Sequence, residues 1–89
     1  MRERELQQKV LKYLKQQSIL AVKVDSTSTR GLPDLLVILP SGEVHFVEIK
    51  TPTGKLSVHQ QRIHQQLREQ NANVHTIRSL EEVEKLFNP

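Results

Sequence analysis

GLPDLLVILPSGEVHFVEIKT, residues 31–51, decides the fold. Two apolar runs, Asp34 to Leu39 and Glu43 to Thr51, flank Pro40-Ser41-Gly42. Runs of this kind on either side of a Pro/Gly turn predict a β-hairpin. A three-residue hairpin loop combines a type I turn with a left-handed residue. Pro suits the first central position of that turn, and Gly suits the left-handed one. The loop therefore pairs Leu39 with Glu43 and sets every pair behind them. Asp34 comes directly opposite Glu48, and opposed residues share a face of the sheet. Lys50, two residues on, faces the same way. A two-residue loop would instead put Asp34 opposite Ile49 and split the carboxylates.

The rest of the Asp34 face is Leu36, Ile38, Val44 and Phe46; the other face carries Leu35, Val37, Val47 and Ile49. Both faces are apolar, so cover is expected on both. Two carboxylates and an ammonium then gather at the edge of a buried layer, where unpaired carboxylates are costly. A bound cation resolves that cost. Hard oxygen ligands suit Mg²⁺, with Mn²⁺ as a substitute. Such a metal acidifies a bound water and stabilises charge on phosphoryl oxygens. Lys50 as general base would need a lowered pKa, which neighbouring carboxylates oppose. An electrostatic and positioning role is favoured.

Outward from the hairpin, Leu6, Val10, Leu14 and, slightly off-axis, Tyr13 predict a helix over residues 3–17. Glu3 lies one turn before Leu6 on the inward stripe, which makes it the acidic residue best placed to approach the metal, directly or through water. An acidic residue in a first helical turn also has a plain macrodipole reading. Residues 19–25 (ILAVKVD) predict a strand, and Ser26 to Gly31 a loop. Ser57 opens a second helix to about Gln70, with Ile63 and Leu67 as its inner stripe. Gln60 has two open readings: capping-box partner of Ser57, or a site residue contacting the attacking water or Lys50. Residues 73–78 predict a short strand. Ser79 and Glu82 predict a second capping box before a helix that buries Leu80, Val83, Leu86 and Phe87. The order α-β-β-β-α-β-α describes one α/β domain over residues 1–89, a small mixed sheet covered by helices.

The 89 residues carry a net charge of +3 with 36% hydrophobic and 26% charged side chains. The basic balance permits a polyanionic partner. Tyr13, Phe46 and Phe87 are the only aromatics, which disfavours a base-stacking single-strand binder. No apolar run is long enough to span a membrane and no cysteine is present; the charged, helix-patterned start MRERELQQKV is not expected to act as a secretory signal. A cytoplasmic, intracellular protein without disulfides or thiolate metal sites is expected. Ser26, Ser28, Thr29, Arg30 and Lys55 suit DNA phosphate oxygens, against the reading of solvated loops. His59 and His64 are five apart and do not share a face as a metal pair would. All four histidines are expected to lie outside the catalytic set.

Gly31-Leu32-Pro33-Asp34 followed by Val47-Glu48-Ile49-Lys50 resembles the PD-(D/E)XK nuclease signature. With Glu3-Arg4-Glu5-Leu6-Gln7, Arg30, VEIKTPTGKLS and Gln60, the chain resembles the VRR-NUC family over about Glu3 to Ile77. The resemblance implies a restriction-endonuclease-like core. It makes Asp34, Glu48 and the Ile49 carbonyl metal ligands, Lys50 the catalytic lysine, Glu3 the helix-borne acid and Gln60 the glutamine of the second helix. It further implies a stand-alone, phage-type protein, acting in a host cell as a homodimer on branched DNA, similar to Holliday-junction resolvases. A small-molecule cofactor or a membrane partner is not expected. Two rival readings keep the same fold: a catalytically silent DNA-binding accessory module, and a ribonuclease.

Overall fold

The computed structural model describes residues 1–25 and 28–88; Ser26 therefore lies outside the described residues. The elements are α1 (Glu3–Gln16), β1 (Leu20–Lys23), β2 (Leu35–Ile38), β3 (Val44–Ile49), α2 (Val58–Glu69), β4 (Asn73–Ile77) and α3 (Leu80–Phe87). Their order is the one expected. The strands form one sheet, β1-β2-β3-β4. β1, β2 and β3 are antiparallel neighbours, while β3 and β4 run parallel. The parallel pair needs a crossover, and α2 supplies it.

The hairpin register is the predicted one. Leu39 N–H donates to the Glu43 carbonyl, Gly42 N–H closes the turn onto the Leu39 carbonyl, and Gly42 has φ +93°. Leu35 pairs with Val47 and Ile38 with Val44. Continued one residue, this register sets Asp34 opposite Glu48.

The core lies on one side of the sheet. Leu6, Val10 and Leu14 of α1 and Val83 and Phe87 of α3 pack on Leu35, Val37, Val47, Ile49 and Ile77. Removing such side chains from water stabilises each by roughly 1.5–3 kcal/mol. α1 ends in a Schellman motif: Ser18 N–H donates to the Lys15 carbonyl and Ile19 N–H to that of Leu14. Ser18 takes the left-handed conformation this requires (φ 59°), and the motif turns Ile19 into the core. β1 consequently begins at Leu20, a residue later than expected, and ends at Lys23.

The other side departs from expectation. α2 covers the sheet on the β4 side. Leu20, Val22 and Val44 stay 57%, 45% and 39% exposed. Pairing of Leu20 with Ile38 and of Val22 with Leu36 puts these residues on the Asp34–Glu48 face. One helix of 12 residues is too narrow to roof four strands, so half of this apolar face is uncovered. Two smaller expectations are also corrected. Leu86 is 36% exposed rather than buried. Ser79 accepts from Glu82 N–H, but the Glu82 carboxylate accepts from Arg78 N–H, so the second capping box is only half formed.

Candidate active site

Asp34 and Glu48 leave the hairpin at the end away from its turn. Glu48 is 1% exposed. Burial, a hydrogen bond to Asp34 and the Asp34 charge push its pKa up to about 9; Lys50 opposes this and Glu3 adds to it. The protein alone therefore holds Glu48 as a neutral acid at neutral pH. A cation between the two carboxylates would reverse that preference.

Pro33 explains a third oxygen. The register continued to residue 33 sets Pro33 opposite Ile49, at a position where an antiparallel pair exchanges both hydrogen bonds. Proline has no N–H, so it offers nothing to the Ile49 carbonyl. The Ile49 N–H, pointing the same way, donates to Asp34 Oδ2 at 2.7 Å. Asp34 thus completes the ladder with its side chain, and the Ile49 carbonyl, with no proline N–H to engage it, is the backbone oxygen available at this end of the hairpin. Two carboxylates and one carbonyl form a hard-oxygen donor set that fits Mg²⁺ or Mn²⁺ with water completing the shell. Among the described residues no group of three His, Cys, Asp or Glu side chains could hold a metal. Glu3 is exposed in the first turn of α1, and its charge is felt at Glu48.

Lys50 follows β3, and its N–H continues the parallel ladder to the Ile77 carbonyl. Arg78 fixes the turn beyond it, donating to the Thr51 and Gly54 carbonyls at 2.7 and 2.6 Å. Arg78 was not anticipated: two carbonyls 24 and 27 residues away leave no mark on local pattern.

Gln60 unites both of its sequence readings. Ser57 Oγ accepts from Gln60 N–H, and Gln60 Oε1 accepts from Ser57 N–H at 2.8 Å, a complete capping box. That bond fixes which end of the amide is oxygen, so Nε2 is left as the donor. Nε2 lies 3.4 Å from Glu48 Oε2. One turn later His64, fully buried, sets Nε2 3.4 Å from Glu48 Oε1. The histidines were expected to lie outside the catalytic set; His64 nonetheless sits against Glu48, a proximity that the sequence reading did not anticipate. The i, i+4 spacing from Gln60 was the signal available in the sequence. His59 is exposed, and His45 and His75 hydrogen-bond one another at 2.9 Å on the opposite face, beside Phe87.

The loop before Asp34 is seated on α2. Gly31 (φ +90°) packs directly on the His59–Gln60 backbone. Ser28, Thr29 and Arg30 are exposed in the loop that leads into Gly31, and Lys55 is exposed too.

The chain matches the sequence profile of the VRR-NUC domain over residues 2–81. The chain belongs to the VRR-NUC family. A solved structure titled "VRR_NUC domain" superimposes with a TM-score of 0.85 at 36% identity, covering 94% of this chain and 91% of that one. A relative from Acyrthosiphon pisum secondary endosymbiont phage 1, described as "Putative nuclease p44", is 46% identical over 48 residues. That match spans 54% of this chain and 52% of the phage protein, about half of either. The VRR-NUC fold implied by the resemblance, with its element order and mixed sheet, is the fold observed. Among the described residues no helix is long and apolar enough to cross a membrane.

Proposed function

We propose that this VRR-NUC chain is a divalent-metal-dependent endonuclease that hydrolyses phosphodiester bonds in branched DNA, such as four-way junctions, as a homodimer. The observation that carries the reading is the meeting of Asp34 and Glu48 at one end of the hairpin, with Lys50 and the Ile49 carbonyl beside them. Asp34, Glu48 and the Ile49 carbonyl would hold Mg²⁺, and Glu3 would reach it through water. Held there, the ion would supply Lewis acidity toward phosphoryl oxygens and would lower the pKa of a bound water toward neutrality.

The chain's own residues do the rest. Lys50 sets a positive charge where negative charge develops on the phosphoryl group, a preorganised electrostatic role. Gln60 orients Glu48. Arg30, Ser28, Thr29, Lys55 and Ser26 supply the guanidinium, ammonium and hydroxyl groups that engage DNA phosphates. The uncovered apolar half-face around Leu20, Val22 and Val44 supports self-association. A two-fold pair would present two sites to paired strands. Action inside a host cell, as for a phage-type nuclease, fits the same reading.

The test is cleavage of labelled duplex, flap and four-way junction DNA, with a matched RNA junction, in Mg²⁺ and in EDTA. Junction DNA should be cut in Mg²⁺ alone. Lys50→Ala should lower the rate by about 10²–10³ while leaving binding intact, the scale of losing one electrostatic stabiliser. Equal turnover in EDTA would rule the reading out. Binding without cleavage would make the chain an accessory module, and preferential RNA cleavage a ribonuclease.

A further inference from the structure

His64 is the most deeply buried residue of α2, at 0% exposure. A polar side chain is seldom fully buried without a partner. Its Nδ1 has no hydrogen-bond partner at all. Its Nε2 lies 3.4 Å from Glu48 Oε1, while Gln60 Nε2 lies at the same distance from Oε2. The helix thus offers each Glu48 oxygen its own nitrogen, from residues one turn apart on one face.

The proton position follows from the surroundings. A proton on Nδ1 would leave a buried N–H without an acceptor and would give Glu48 no donor from this side. A proton on Nε2 gives Glu48 a donor and leaves only a ring lone pair unmatched. A leucine would fill the space of His64 without either difficulty, so packing alone gives no reason for an imidazole here.

We propose that His64 is a positioning residue for Glu48. As a neutral imidazole protonated on Nε2, it donates to Oε1 and, with Gln60 on Oε2, holds the carboxylate in the orientation that receives the divalent cation beside Asp34. This rests on the metal-dependent reading above. Hydrogen bonds from neighbouring side chains to a metal-binding carboxylate fix its direction, and losing one typically costs about 10–100-fold in metal affinity or activity. Both 3.4 Å contacts are expected to shorten when Glu48 carries its charge.

The test measures Mn²⁺ binding to the full chain by calorimetry, with no substrate present. His64→Leu should fold, with an unchanged circular dichroism spectrum. It should bind Mn²⁺ about 10–100-fold more weakly, and raise the Mn²⁺ concentration needed for half-maximal cleavage by the same factor. His64→Gln, which keeps a donor, should recover most of the loss. A folded His64→Leu protein with wild-type Mn²⁺ affinity overturns the positioning role and leaves the nuclease reading standing. A wild-type chain that binds no Mn²⁺ overturns both. Should His64→Leu fail to fold, long-range ¹H–¹⁵N correlation on the wild-type metal-free chain decides: an Nε2–H tautomer is expected, and an Nδ1–H tautomer or an imidazolium overturns it.

Discussion

Gly31 shows how one atom governs the approach to the site. A Cβ there would overlap the His59 carbonyl and lie 2.9 Å from the Gln60 nitrogen, at a backbone φ of +90° that other residues resist. The opposing atoms are backbone within the first turn of α2, so they cannot swing aside. Gly31→Ala should destabilise the protein by about 2–3 kcal/mol, the sum of a strained φ and a displaced contact, read from urea unfolding. A loss below about 0.5 kcal/mol, the range of an ordinary surface change, would mean the loop is free to move off the helix. Glu48 yields a second prediction at this scale. Its folded pKa of about 9 stands above the ordinary 4.5. A group shifted upward contributes stability that is whole below the unfolded pKa and is lost as pH rises through the folded one. In EDTA, the thermal midpoint of the wild type should therefore fall between about pH 4.5 and 9 relative to that of Glu48→Gln. Saturating Mg²⁺ should oppose the fall, because the ion stabilises the charged carboxylate. Parallel curves for the two proteins in EDTA would contradict the buried neutral acid.

At the scale of elements, both longer helices end in the same device. α1 closes with Ser18 at φ 59° and α2 with Asn71 at φ 63°. In each, the two Schellman hydrogen bonds are made, Asn71 N–H to Arg68 and Ala72 N–H to Leu67 completing the second. Asparagine tolerates the left-handed region because its short polar side chain bonds locally; serine is less suited to it. Ser18→Gly should accordingly stabilise the fold by about 0.5–1 kcal/mol in urea denaturation, and Asn71→Gly by less. A destabilised Ser18→Gly would show that the serine side chain holds something the cap does not need. The hairpin carries the same lesson in strands. Pro40-Ser41-Gly42 set the register at one end, and Pro33 and Asp34 interrupt the ladder at the other. The site occupies the place where regular pairing stops.

The whole molecule presents two unlike sheet faces. The α1/α3 face is filled from Leu6 to Phe87; the α2 face is half open, with Leu20 and Val22 on the edge strand β1 and Val44 exposed. Exposed apolar side chains gathered on one face offer a second chain a surface on which to dock. If it joins two copies, Leu20→Glu combined with Val22→Glu should yield a monomer by sedimentation velocity with an unchanged fold. Loss of paired-strand cutting should accompany it, while single incisions persist. A dimer that survives both charges would place the interface elsewhere.

Local chemistry determined the fold class, the element order and the meeting of Asp34 with Glu48, because periodicity and turn residues act over a few positions and β-pairing then propagates a register without further information. Ser57 and Gln60 read correctly as a capping box for the same reason. The tertiary structure alone decided the rest. That α2 covers only half of its sheet face depends on the width of a helix against four strands, which no local pattern encodes. That Arg78 fastens the turn after Lys50 depends on the parallel crossover. That His64 turns inward to Glu48, while the flanking Ile63 and Leu67 of the predicted stripe are only half-buried, depends on how α2 rotates over the sheet. Packing sets that rotation, and it is felt at the site as one donor for each oxygen of a single carboxylate.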